Sequence, residues 1–511
     1  MTLCCCPTDT SCGAYRMTSG KRIVVSLFSG AGGFDWGFHR AGFETQLAVE
    51  LEKSPAETLA YNLKLKTLHA PISPTLDELP AVIQGDVREV DFSSLVSMQP
   101  DVLIGGPPCQ DFSISKGSRR EGLNGGRGKL YLEFLRALMF LQPKMFVFEN
   151  VPGFTSANGG LAYQTVLDDI RNLETHCREA LTAEQSVKPP HQSVCGYDIL
   201  FSDVVDAPHL GAAQTRRRLI IVGIRSDLTL PFGGLVGTLS DHVSSILDGS
   251  RWKFKRFPMT TLEIFEGQSL RNLQSRYKEI MGAFSSLGIE STFRQAIQWR
   301  KNVWSKLSPE LDVIKDYYAA CGLNFDQDYD RDEFTAAMEE HEKLLLRLGW
   351  HGKPVCELTD PNNVLPKQSE AVKDRMFQIP PGENAEFVDG TEWEVTNKEI
   401  SFIYRRPLLL QPAWTVMAYG GGGTYGYHYE RQRGQLTLRE KARIQTFTDD
   451  FVFKGKGVRA QIGEAVPPLL SEHIALAVHE VLDCIDRLPK QNMRAKENTA
   501  RCLSPGDNTG G

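Results

Sequence analysis

No run of 18 consecutive apolar residues occurs anywhere in the 511-residue chain, so no hydrophobic helix capable of crossing a membrane is expected. The opening stretch MTLCCCPTDTSCGAYRMTSGKR has no apolar core, which excludes a secretory signal. Positive charge is not in excess. The formal net charge is −6, whereas a protein that coats nucleic acid without selectivity is usually basic. A local basic cleft stays compatible with that balance. Cysteine is scarce and odd in number, eleven scattered residues, which fits reduced thiols in the cytoplasm better than a disulfide framework. Cys4, Cys5, Cys6 and Cys12 cluster with no histidine among them, so no metal site is expected. The first sixteen residues read as an unstructured leader, with Met17 as a candidate natural start and residues 1–20 outside the folded part. What remains is 41% hydrophobic and 23% charged, the balance of a globular protein, and its length calls for two or more folding units.

From residue 22 to 225 strands and helices alternate. RIVVSLF (22–28), FETQLAVEL (43–51), AVIQGDV (81–87), DVLIGG (101–106), KMFVFENV (144–151), YDILFSDVV (197–205) and RRLIIVGI (217–224) read as strands. SPAETLAYNLKL (54–65) and KLYLEFLRALMFLQ (129–142) between them carry apolar residues at helical spacing. This pattern predicts an α/β fold with a doubly wound, mostly parallel sheet. The rhythm breaks over 226–404, where charged helical stretches such as FRQAIQWRKNVWSKL and FTAAMEEHEKLLLRLGW lie among Pro/Gly/Asn-rich connections. That segment reads as a second, smaller domain inserted into the first. Regular sequence resumes over 405–488, with a threonine-capped helix at 437–447 and a long helix opened by prolines at 467–488. The polar tail 489–511 is expected to be disordered.

Ligands of open α/β sheets bind at the carboxyl ends of the strands, so the residues just past each strand are the candidate site. FSGAGGFDWG (28–37) is a glycine turn that lets a nucleotide-like ligand approach the backbone, without the full pyrophosphate-binding pattern. Glu50 follows strand two, twenty residues beyond Gly30, where an acid grips ribose hydroxyls; a surface Glu is the alternative. Asp86 follows strand three and either accepts from an adenine amine or caps a turn. Together these favour an adenosine-containing cofactor that lacks phosphates. Cys109 follows strand four and Glu149-Asn150 strand five. A carboxylate beside a thiol raises the thiol pKa, so this is no protease pair. It suits an electrophilic ring: the thiol adds to carbon while a protonated Glu, its pKa raised by burial, shares its proton with a ring nitrogen. In GAAQTRRRL (211–219), Gln214, Arg216 and Arg218 alternate as on a strand. Both arginines then share a face and either form a surface cluster or contact a phosphate and a base carbonyl.

SLFSGAGGFDWGFHRAGF (26–43), GGPPCQDFS (105–113), FENV (148–151), QTRRRLIIVG (214–223), AYGGGGTYGYHY (418–429) and RAQIGEAVPP (459–468) occur in an order that resembles the DNA (cytosine-5) methyltransferases of bacterial modification systems. The resemblance implies S-adenosylmethionine as cofactor and double-stranded DNA as substrate. It makes Cys109 the nucleophile toward C6 of cytosine, Glu149 the group on N3 and the exocyclic amine, and Arg218 a contact to O2. Arg216 would support the cysteine loop or a nearby phosphate. The cofactor would rest against Phe28, Gly30, Gly32 and Gly33, with Glu50 on the ribose, Asp86 on the adenine amine and Leu51 and Val87 on its faces. Pro108, Leu130, Glu464, Ala465 and Val466 would close that pocket. Gln110, Ser113, Gln214 and the cations Lys116, Arg119, Arg120 and Arg127 of a glycine-rich closing loop would meet DNA. The target base must leave the duplex to react, and the insert 226–404 would read the major groove. Arg251, Lys253, Lys255, Arg256, Arg431 and Arg433 are candidate DNA contacts, each equally readable as a solvated charge.

Four positions depart from the family pattern: Ala212-Ala213 stands where Val-Pro is usual, Glu464 where Asn is usual and Thr448 where proline is common. A monomer acting beside a separate restriction endonuclease is expected. An RNA-directed enzyme of the same fold, and a DNA-binding regulator without activity, are the competing readings.

Overall fold

The computed structural model describes residues 21–108, 130–175, 194–395, 403–418 and 426–489. The strands β1 (Arg22–Leu27), β2 (Phe43–Glu50), β3 (Lys66–His69), β4 (Ala81–Gln84), β5 (Val102–Gly105), β6 (Met145–Asn150), β7 (Tyr197–Asp206) and β9 (Arg217–Arg225) form one eight-stranded sheet in the order β3-β4-β2-β1-β5-β6-β9-β7. Neighbours from β3 to β6 pair in parallel, and β9 runs antiparallel to both β6 and β7. The mostly parallel α/β sheet expected from the alternating pattern is therefore present. The order reverses between β1 and β5, which opens the crevice where such sheets bind ligands.

The central strands are continuous apolar runs because helices cover both faces. Val25, Leu27, Leu47, Val49 and Leu103 pack on one face beneath the helix Leu130–Leu141. Val24, Val102, Ile104, Val147 and Val222 pack on the other beneath the long helix Pro468–Asp486. β3, with the sequence KTLH, is largely exposed and pairs only at the edge. Its polar character is what an edge strand needs, and it is what hid the strand from a search for apolar runs.

The sheet's core extends past residue 225, since the helix Leu235–Leu247 buries Leu239, Val243, Ile246 and Leu247 in the same cluster as Ile224. Beyond it a second core collects Phe257, Tyr277, Trp299, Tyr317, Phe334 and Trp350 from the insert. The helices Arg294–Asn302 and Arg331–Arg347 occupy the two charged stretches singled out in the sequence. The returning segment joins this core through Ala442, Ile444, Phe447, Phe451 and Ile462, so insert and return pack as one apolar unit. A two-residue strand β10 (Ala413–Trp414) pairs in parallel with β8 (Gln214–Thr215), bringing the return beside the entry to β9. Among the described residues, no helix is long and apolar enough to cross a membrane.

Candidate active site

The glycine turn after β1 is held open by backbone geometry. Phe28, Gly30 and Gly32 take φ values of 56°, 55° and 88°, a left-handed region that costs a side-chain-bearing residue energy. The Gly30 N–H donates to Glu50 Oε2 at 2.7 Å, and the Glu52 N–H donates to Glu50 Oε1 at 2.8 Å. Glu50 is thus aimed across the turn from the end of β2. Burial pushes its carboxyl up to about 7, against the pull of those two amides. A Cβ on Gly30 would enter open space, so a cradle stands in front of the carboxylate. Gly33, which opens the helix Gly33–Arg40, has the opposite environment: a Cβ there would lie 2.5 Å from the Val466 carbonyl and 2.9 Å from the Ala465 side chain. Only glycine permits that approach, which seats Ala465 and Val466 against the turn. Glu464 is exposed beside them, and its charge reaches Glu50.

Phe28, Val87 and Leu130 belong to one apolar cluster below the cradle. Leu51, next to Glu50, is exposed, and its carbonyl accepts from Gln84 Nε2 at 3.2 Å. Asp86 does the turn-capping job: its carboxylate accepts from the Arg88 N–H at 3.0 Å and is gripped by the Arg88 guanidinium, which holds it below the usual carboxylate range. Pro108 is exposed at the crevice and is the last described residue before Cys109.

A second group lies at the ends of β5, β6 and β9. Glu149 is paired across the antiparallel ladder with Ile220, so Arg218 enters from the strand alongside. Arg218 Nε donates to Glu149 Oε1 at 2.9 Å. Burial raises the Glu149 carboxyl above its ordinary value, while Arg218 and then Arg216 pull it down. A Cβ on Gly106 would come within 2.7 Å of Glu149 Oε2, so the glycine of the GGPPC stretch is the residue that lets the acid stand there. Asn150 Nδ2 donates to the Pro107 carbonyl at 3.1 Å, and Asn150 Oδ1 accepts from the Val151 N–H at 2.8 Å. The chain two residues before Cys109 is thereby tied to the strand that carries Glu149.

Two sequence expectations need correction. Gln214 is fully buried: its amide donates to Gln445 Oε1 at 2.8 Å and the Ile444 carbonyl at 3.2 Å, and accepts from the Val416 N–H at 2.8 Å. It is an internal tie and offers DNA no exposed atom. Arg216 is 1% exposed, and its Nη2 donates to the carbonyls of Gly463 at 3.1 Å and Ala465 at 3.0 Å. It braces the segment seated on Gly33, with almost no surface open to a phosphate. Burial pulls its guanidinium down to about 9.

Cys109, Gln110, Ser113, Lys116, Arg119, Arg120 and Arg127 lie outside the described residues. Of the surface cations, Arg251 pairs with Glu480 at 3.1 Å, Arg256 with Glu333 at 3.0 Å and Arg433 with Glu440 at 2.6 Å. Arg431 donates to the carbonyls of Phe377 and Ala283 at 2.9 and 2.6 Å, while Lys253 and Lys255 stay exposed. Sequence reasoning missed Asn150 as the tie to Pro107, although it stands beside Glu149 in FENV. It also missed the buried Asp35, whose only sequence signal is an acid in the first turn of a helix. Thr448, a departure from the family pattern, accepts from the Trp36 indole N–H at 3.1 Å. That bond, which a proline could not accept through a side chain, explains the departure.

The family model described as C-5 cytosine-specific DNA methylase matches residues 23–480. The chain is 45% identical to the DNA (cytosine-5-)-methyltransferase M.ApeKI of Aeropyrum pernix over 470 residues, 90% of this chain and 99% of that one. It is 27% identical to the type II methyltransferase M.NgoFVII of Neisseria gonorrhoeae, over 88% of this chain and 84% of that one. It is 29% identical to the type II methyltransferase M.BbvI of Brevibacillus brevis, over 86% of each. A carboxyl–guanidinium pair beside the GGPPC strand end, a cradle faced by an acid, and a family model spanning nearly the whole length lead to one conclusion: the chain belongs to the C-5 cytosine-specific DNA methylase family.

Proposed function

We propose that the chain transfers the methyl group of S-adenosylmethionine to C5 of cytosine in a specific double-stranded DNA sequence, through a transient bond between Cys109 and C6 of a base turned out of the duplex. In this reading residues 21–225, with the helix Leu235–Leu247 that packs on the sheet, and 405–488 are the catalytic unit, the rest of 226–404 reads the target, and the protein acts as a cytoplasmic monomer, the modification partner of a separate restriction endonuclease. The observation that carries the reading is the partly buried Glu149–Arg218 pair, set beside a Pro107 carbonyl that Asn150 fixes.

The chemistry follows from that pair. The Cys109 thiolate adds to C6, the C5–C6 π electrons move to C5, and C5 becomes an enamine-like nucleophile. Glu149, raised by burial, is suited to share its proton with N3 as the ring takes up charge. Arg218 holds Glu149 in place and offers its remaining donors to O2. Loss of the C5 proton and departure of the Cys109 thiolate restore the aromatic ring. S-adenosylmethionine, when bound, supplies an electrophilic methyl carbon on a sulfonium. The residues present fit it: the open cradle at Gly30 faces a carboxylate and not a cation, which suits a ribose diol and not a pyrophosphate. Phe28, Val87, Leu130 and Leu51 supply apolar surface for the adenine.

Methylation of duplex DNA followed by bisulfite sequencing tests the reading. Protected cytosines at one recurring sequence in DNA, with none in an RNA of the same sequence, are expected. Protection confined to RNA contradicts it.

Glu50 adds a pH dependence. Ribose hydroxyls donate to an ionised carboxylate, and this carboxyl sits at about 7 before ligand arrives. Affinity for S-adenosylmethionine is therefore full above that pH and falls as pH drops through it, by up to about tenfold per unit. Equilibrium dialysis from pH 8 to 5.5 measures the slope, which Glu50→Gln should flatten.

A further inference from the structure

Asp35 is fully buried beneath the glycine turn, and the chemistry above does not use it. Its carboxylate accepts from Ser26 Oγ on β1 at 2.9 Å and from Thr45 Oγ1 on β2 at 3.3 Å. Ser26 Oγ in turn accepts from Ser29 Oγ at 2.9 Å. Hydroxyls carry one proton each, so the chain has a direction: Ser29 donates to Ser26, and Ser26 donates to Asp35. No ion pair among the described residues includes Asp35, and burial pushes its carboxyl up to about 6. A carboxylate kept in the interior on two hydroxyls and its own backbone N–H, with no cation beside it among those residues, is costly, so its presence calls for a reason.

The geometry supplies one. Ser29 lies between Phe28 and Gly30, both in the left-handed region with φ of 56° and 55°. Such conformations persist only where the surroundings over-determine them. Ser29 is held by its N–H to the Val49 carbonyl at 3.2 Å and by its hydroxyl, which lies 2.9 Å from Ser26 Oγ and 3.3 Å from the carbonyls of Ser26 and Val49. Asp35 itself sits in the first turn of the helix Gly33–Arg40, at the far end of the same turn. Through Thr45 it also grips β2, which ends at Glu50.

We infer that Asp35 is a positioning residue for cofactor binding: through Ser26, Ser29 and Thr45 it pins both ends of the Phe28–Gly33 turn to β1 and β2, and so fixes the aim of the Gly30 N–H and of Glu50 into the cradle. The inference rests on reading that cradle as the S-adenosylmethionine seat.

Calorimetric binding of S-adenosylhomocysteine to the full chain tests it, read beside the melting midpoint of each variant. Asp35→Ala should weaken binding by about tenfold or more, since it removes a charged hydrogen-bond acceptor and leaves two buried hydroxyls without one. Asp35→Asn, whose amide accepts from Ser26 and donates to Thr45, should recover most of that loss. Ser29→Ala should weaken binding severalfold. KM for S-adenosylmethionine should rise in parallel while kcat and duplex affinity stay within about threefold. A role confined to holding the fold together lowers the melting midpoint but leaves the affinity of the folded fraction unchanged. Unchanged affinity in Asp35→Ala overturns the inference, and if that variant does not fold, unchanged affinity in Ser29→Ala does so. Failure of the unaltered chain to bind S-adenosylhomocysteine sinks the cradle's assignment instead.

Discussion

Glu149→Gln should lower the single-turnover rate of methyl transfer to duplex DNA by about 10² to 10⁴, the range that a positioned proton donor contributes. The substitution is nearly isosteric. Its amide oxygen can still accept from Arg218 Nε, which now lies 2.9 Å from the carboxylate, so the side chain keeps its place. What is lost is the transferable proton. Burial raises the Glu149 carboxyl while Arg218 tempers the rise, which moves the group toward the pH at which it can both hold and release a proton. An amide can donate a hydrogen bond to N3 but cannot neutralise charge that develops there. Duplex affinity should stay within about threefold and S-adenosylhomocysteine affinity should not change. A variant that keeps the full rate would show that the acid has no part in activating the ring.

Arg406→Met carries the largest expected cost in stability. Arg406 is fully buried, and its guanidinium lies over the Phe284 ring and donates to carbonyls: Nε to Ile379 at 2.6 Å, Nη2 to Met376 at 2.6 Å and Nη1 to Glu430 at 2.7 Å as well as to His428. Met376 and Ile379 lie at the end of the helix Glu370–Gln378, where the last carbonyls have no partner within the helix and a cation is favoured. Arg406 thus caps that helix and joins it to the segment that carries His428 and Glu430. Methionine fills similar volume but leaves the carbonyls buried and unmet, at roughly 1–3 kcal/mol each. The expected loss is about 3–5 kcal/mol, offset in part by no longer burying a charge that burial already pulls down to about 9. Thermal melts and soluble yield read the effect. A melting midpoint within a degree or two of the unaltered chain would contradict the account of how this core is tied.

The sheet was legible in the sequence because parallel strands covered on both faces become unbroken apolar runs, as in RIVVSL, AVIQ and VLIG. β3 was not, since KTLH is short, polar and exposed, whereas β7 at the opposite edge carries enough apolar residues to be read. The direction of β9 was within reach: the short connection 207–216 between β7 and β9 leaves little room for the crossover that a parallel pair needs. Glu50 and Glu149 stand at the ends of β2 and β6, where strand-end reasoning put them; the pairing of Glu149 with Arg218 was not foreseen, because Arg218 opens the antiparallel β9. Gln214 could not be placed in this way. Its alternation with Arg216 and Arg218 marked a shared face, but which face is interior depends on β10, some two hundred residues on, packing beside it. Asp35 and Arg406 were hidden for the same reason. Whether a charge is solvated or buried is decided by distant segments, and local pattern carries no trace of it.

The central claim is that Cys109 bonds to the pyrimidine while Glu149 steadies it. Its most direct test is the intact mass of the protein after reaction with S-adenosylmethionine and a duplex carrying 5-fluorocytosine at the methylated position, where fluorine blocks the final elimination. The account predicts a species equal to protein plus oligonucleotide plus one methyl group, absent in Cys109→Ser and slowed in Glu149→Gln. The same adduct in Cys109→Ser, or its absence from a chain that still methylates ordinary duplex, would contradict the account.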